Sequence, residues 1–124
     1  MLLLGQENDN MVRRRDSLKT EHRENMRGGA GTVSLTHYAD SGEMLHCRLL
    51  SDIVIPAGAG IGEHEHNKET EYYLIIEGTG IVMDDGKDTA VGPGDVVITG
   101  NGATHSIRNS GNSDLRMIAV ILVD

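Results

Sequence analysis

Four side chains in this chain of 124 residues have the types and spacing to hold a cation: His64, His66, Glu71 and His105. His64 and His66 stand one residue apart in "GEHEH". On a strand, residues i and i+2 point the same way, so both imidazoles share one face and Glu63 and Glu65 take the other. Two imidazoles one pleat apart can chelate a divalent ion, and a carboxylate soon after them extends the donor set. Glu71 opens the apolar segment "EYYLIIE", whose alternation puts Glu71, Tyr73 and Ile75 on one face. Glu69 is the rival carboxylate; it reads as part of the "NKET" turn, where no strand would hold it. A fourth donor has to come from far along the chain. His105 follows the Gly-rich turn "GNGA" and opens a strand that can aim it inward.

Other polar residues have weaker contexts. Arg48 lies on the long strand before the histidine pair. Facing inward it would bind a substrate carboxylate or phosphate, and facing outward it would be a solvated cation. Tyr73 shares the face of Glu71 and is either a hydrogen-bond or proton donor to a ligand or a wall residue with its hydroxyl satisfied. Arg48 and Tyr73 are therefore the candidate catalytic residues. His46 shares the alternation of Arg48, whereas His22 and His37 read as surface residues. Cys47 reads as a small buried residue. Asn109 is placed to cap the turn before the last strand. The glycines at 78, 92, 94, 100 and 102 are turn glycines, because a phosphate-binding loop would need a Lys and a following helix. No Ser-His-Asp spacing indicates a hydrolase.

The elements that must position these residues are strands. Sixteen glycines, no Phe and no Trp leave a core of Val, Ile, Leu, Met and Tyr, which favours β structure and tight turns. The segments 32–38, 44–55, 62–66, 71–77, 81–84, 89–91, 96–99, 104–109 and 115–123 read as eight or nine short strands. Turn residues recur about every 8–12 residues, the pattern of an all-β sandwich or barrel. The last segment, "LRMIAVILV", is almost continuously apolar. It is expected to be covered by the core on one face and by a second subunit on the other, giving a homodimer. The chain fits one domain over 31–124. Before it, residues 1–30 read as a basic tail. Residues 1–10 are expected to be disordered, and 12–27 to form a turn or two of helix or to lie along the body.

Charge is unevenly spread. The net charge is −8, yet residues 11–30 carry six basic and three acidic residues, while residues 31–124 carry five basic and fourteen acidic ones. An acidic body repels phosphate backbones, so no nucleic-acid partner is expected, and the basic segment is expected to dock on acidic protein surface. One cysteine excludes an internal disulfide. No apolar run is long enough to span a membrane, and "MLLL" lacks the features of a signal peptide. A cytoplasmic location is the expectation.

The residues from 58 to 109 resemble the two conserved motifs of the cupin superfamily. The first runs Gly58, five residues, His64-x-His66, four residues, Glu71, six residues, Gly78. The second runs Gly94, five residues, then a Pro-x-Gly that here reads Gly100-Asn101-Gly102, then His105 and Asn109. Only the proline departs. The resemblance is closest to the small single-domain "cupin 2 conserved barrel" proteins. It implies a double-stranded β-helix, or jelly-roll barrel, over residues 31–124. It also implies one divalent metal ion on His64, His66, Glu71 and His105. Manganese, iron, nickel and cobalt suit such a site with six ligands, which leaves two positions open; zinc suits it with fewer. A small oxygenated acid, enol or sugar would then be the ligand. The function that follows is a metal-dependent enzyme of dioxygenase, isomerase or decarboxylase type, or else a non-catalytic binding module.

Overall fold

A computed structural model describes residues 11–124. Ten strands run through them: β1 Lys19–Glu24, β2 Thr32–His37, β3 Cys47–Ile55, β4 Gly60–Glu65, β5 Glu69–Glu77, β6 Gly80–Asp84, β7 Lys87–Val91, β8 Val96–Gly100, β9 Thr104–Asn109 and β10 Leu115–Val123. All pairings are antiparallel. One sheet has the order β1-β2-β3-β10-β5-β8 and the other β4-β9-β6-β7. The two inner faces close on a core of alternate residues, including Leu35, Ile53, Ile75, Val82, Ile107 and Met117, all buried. Burying an aliphatic side chain of this size stabilises the fold by about 1.5–3 kcal/mol. This is the jelly-roll barrel that the motifs imply. Among the described residues no helix is long and apolar enough to cross a membrane.

β2 to β10 fall on the nine segments expected as strands. β1 has no counterpart among them. Its sequence, "KTEHRE", has no apolar alternation, and five of its six residues are exposed. Backbone pairing to β2, from Lys19↔His37 to Glu24↔Thr32, holds it at the sheet edge. From Lys19 onward, the segment read as a tail is therefore part of the barrel wall. The expected disorder of residues 1–10 lies outside the described residues. The short basic stretch before β1 does dock on acidic groups. Arg13 pairs with Glu43 at 3.0 Å, and Arg15 with the buried Asp52 at 2.8 Å.

A central strand in one sheet and an irregularity in the other position the interior. β10 lies between β3 and β5, with Leu115, Met117, Ala119 and Ile121 facing the core. Its outer face joins Leu74, Ile76, Val96 and Ile98, which are exposed apolar residues on β5 and β8. On the other sheet, Ile61 pairs with Ile107 and His64 with His105. Three steps on β4 thus match two on β9. This is a β-bulge, and it turns His64 to the same interior face as Ile61 despite their odd spacing. A single-turn segment, Met26–Gly28, packs against β4 at this bulge. The approach is backbone to backbone: a Cβ on Gly62 would lie 2.1 Å from the Arg27 carbonyl oxygen, and one on Gly29 would lie 2.2 Å from that of Gly60.

Candidate metal centre

β4, β5 and β9 bring His64, His66, Glu71 and His105 to one point. One ligand atom from each lies within 4.8 Å of all the others. His66 sits just past the end of β4. Its amide donates to Ala103 O, and its carbonyl accepts from Gly102 N, so the turn that precedes His105 also fixes His66. Gly100, in place of the motif proline, closes this turn by accepting from Ala103 N at 3.0 Å. Asn109 anchors the far end of β9. Its amide donates to Ile55 O and Ser113 O, and its Oδ1 accepts from Gly111 N, so it holds the turn before β10 as expected.

Each imidazole is oriented from behind. His64 Nδ1 donates to Gly62 O at 2.8 Å, His66 Nδ1 to Glu69 Oε2 at 2.5 Å, and His105 Nδ1 lies 2.8 Å from Thr99 Oγ1. With Nδ1 protonated, each Nε2 carries a lone pair. All three Nε2 atoms face inward, His105 to His64 at 3.0 Å and His105 to His66 at 3.1 Å. Glu71 Oε1 stands 3.0 Å from His105 Nε2, 2.8 Å from His66 Nε2 and 3.7 Å from His64 Nε2. Four acceptors facing one another, nearly sealed from solvent, make a set that a cation would satisfy. Donors at right angles, each about 2.1 Å from one ion, would be about 3.0 Å apart, which fits most of these separations. The cluster could therefore hold one metal ion.

The local electrostatics agree. With no ion between them, burial would push the Glu71 carboxyl up, but a proton carried on Nε2 of His105 or His64 donates to it, outweighs burial and brings it down to about 2. Burial lowers His105 below the usual imidazole value, against the pull of Glu71. Burial also raises the Tyr73 hydroxyl well above its ordinary value, and the neighbouring Glu71 charge adds to this. Tyr73 therefore stays protonated. Its ring stacks on His105 with centroids 4.9 Å apart, and its oxygen is 3.4 Å from His105 Nε2.

The cluster opens on a cavity of about 440 Å³, in which His64, His66, Glu71 and Tyr73 meet the apolar residues Leu35, Ile53 and Ile61. Exposed residues line its outer part, among them Lys19, Arg23, Arg27 and Arg48. Arg48 is thus at the mouth, where it donates to both oxygens of Glu69 at 2.7 Å. Glu69 itself corrects the sequence reading. It is the first residue of β5, held by the strand, and it links Arg48 to His66. Period two, counted back from Glu71, would have placed it on the same face. The Arg48 and His66 contacts hold its carboxyl at about 2.

The remaining histidines and the cysteine differ in part from expectation. His46 lies outside β3 with φ of 60°, and it engages Val123 through its backbone carbonyl, away from the cluster. His37 is half-buried and lines the outer cavity, bonded to Ser51 and Glu21. His22 is exposed, as expected. Cys47 is half-buried rather than buried.

Comparison with known proteins places this architecture. The family model described as "Cupin domain" matches residues 51–121. The oxalate-binding protein of Thermotoga maritima is 41% identical over 119 residues, covering 94% of this chain and 98% of that one. A crystal structure from the same organism, described as a predicted oxalate decarboxylase, superposes with a TM-score of 0.87 at 40% identity, over 92% of this chain and 100% of that one. A polyketide cyclase from Streptomyces resistomycificus shares the fold, with a TM-score of 0.73 at 18% identity over 93% of this chain and 81% of its own. The chain belongs to the cupin family.

Proposed function

We propose that this protein binds one divalent transition-metal ion through His64, His66, Glu71 and His105, and that it holds a small carboxylate of the oxalate type there. The observation that carries this reading is the convergence of three imidazole lone pairs and one carboxylate oxygen at the floor of a cavity with a cationic mouth. A bound divalent ion supplies positions for carboxylate oxygens and polarises them. The chain supplies the rest. Leu35, Ile53 and Ile61 narrow the cavity and exclude water, and at its mouth Lys19, Arg23, Arg27 and Arg48 outnumber the carboxylates Glu21 and Asp40, which favours anions in an otherwise acidic protein. The oxalate-binding relative supports the choice of ligand. Binding without turnover agrees with the carboxylates at the floor, because Glu71 is among the proposed ligands and Glu69 is tied to His66 and Arg48.

One observation favours turnover as a second reading. Cleavage of the C–C bond of oxalate releases carbon dioxide and leaves a carbon that must take up a proton. The protonated Tyr73 hydroxyl stands beside the cluster and could donate it. The exposed apolar face formed by Leu74, Ile76, Val96 and Ile98 supports a second copy of the chain as the partner there. The decisive measurement is calorimetric titration of oxalate into metal-loaded and chelator-stripped protein, followed by recovery of the ligand. Binding only to loaded protein, with oxalate recovered intact, is the expected result. Formate and carbon dioxide in excess of the protein would select turnover. Absence of binding to loaded protein would overturn both readings.

A further inference from the structure

Of the four cations at the cavity mouth, Arg23 is paired with Glu21 and Arg48 with Glu69. Among the described residues, Lys19 and Arg27 have no ion-pair partner. Arg27 differs from Lys19 in two ways. It lines both the cavity and the adjoining open groove, and His64 borders both. Its backbone is also left-handed, with φ of 55° and ψ of 28°, which is costly for a residue with a side chain. The fold maintains that conformation. The Arg27 carbonyl is seated against Gly62, and Gly28 and Gly29 close the turn on the carbonyls of Asn25 and Met26. A strained residue held by backbone contacts to the strand that carries His64 and His66 is the kind of outlier that marks a ligand clamp.

We propose that Arg27 is the residue that reads the ligand, its guanidinium forking onto the carboxylate oxygens of a metal-held dianion that face the cavity mouth. This rests on the proposed metal-held carboxylate. A planar fork suits two oxygens in one plane, which a lysine ammonium does not match. The turn between β1 and β2 therefore sets the specificity of a site whose proposed metal donors all come from later in the chain.

The test compares wild type with Arg27→Ala, Arg27→Lys and Arg27→Gly, each loaded with manganese and titrated with oxalate and with acetate. Metal content per chain should be unchanged in all three variants. Oxalate affinity should fall roughly 10- to 100-fold in R27A and R27G, and R27K should recover only part of it. Acetate, with one carboxylate, should lose less. R27G should also melt at or above the wild-type temperature, because glycine accepts the left-handed conformation without strain. That outcome separates the charge from the backbone. Wild type that binds oxalate, alongside loaded R27A that binds it within twofold, overturns the role of Arg27 alone. Loaded wild type that binds no oxalate overturns the carboxylate reading of the site, and this inference with it.

Discussion

The floor and the mouth of the cavity are built on opposite terms. At the floor, His66, Glu71 and His105 are buried and His64 nearly so, each imidazole has a partner behind it, and every donor lies on or beside a strand whose neighbours fix its direction. At the mouth, Lys19, Arg23, Arg27 and Arg48 are exposed, long and charged, and three of them come from β1 and the turn that follows it. A floor of this kind is suited to holding an ion in one geometry. A mouth of this kind acts over distance and can change its ligand preference without disturbing the metal donors. Perturbations of the two regions should therefore separate in what they affect.

The largest effect should come from the floor. The double substitution His64→Ala/His66→Ala removes two of the four donors and should abolish stoichiometric metal, with the β-sheet circular dichroism retained. Elemental analysis of the purified variant checks this, and undiminished metal would break the assignment. Next comes the group that joins the two regions. Glu69 accepts from His66 Nδ1 and is clamped by Arg48. Glu69→Ala should weaken metal affinity about 10- to 100-fold, as loss of a carboxylate behind a metal-bound histidine typically does. Competition with a chelator of known affinity measures it. Arg48→Ala removes only the outer clamp and should cost less. An equal loss in R48A and E69A would show that floor and mouth are one unit.

The same division decides what could be read from the sequence. The floor was legible because strands repeat every two residues. That period places Glu71, Tyr73 and Ile75 on one face, and it aligns His64 with His66. The fold was legible for the same reason, since β2 to β10 each carry an apolar residue that is buried in the core or packed against it. The bulge between Ile61 and His64 was not, because an extra residue in one strand shows only against its partner. β1 was invisible because it contributes pairing and no core side chain; its charges look like those of a solvated tail. Glu69 was misplaced because "NKET" has turn chemistry and the strand begins inside it. Arg48 could not be settled, because its direction depends on that same carboxylate.

Two further substitutions act on the mouth through its supports. Gly62→Ala puts a Cβ into the Arg27 carbonyl, which is backbone and cannot rotate away. It should destabilise the fold by about 1–3 kcal/mol and lower oxalate affinity by displacing the segment. Thermal melting and titration together read it, and full oxalate affinity at a lowered melting temperature would show that the latch is only structural.

The smallest effect is expected at Asp52, which accepts from Arg15 ahead of β1 and from Arg116 on β10. Burial would raise its carboxyl, but the Arg116 and Arg15 hydrogen bonds outweigh it and hold it below the usual range. A group with a depressed folded value adds stability above its unfolded value of about 3.9 and loses that contribution as the pH falls through the folded value. Asp52→Asn should therefore melt below wild type at pH 7, and the gap should close as the pH is lowered beneath about 4. A gap that stays constant down to pH 2 would show that the pair contributes through shape rather than charge. Metal content should not respond at either pH extreme of the neutral range, because Asp52 ties the arm to the wall and touches none of the four donors.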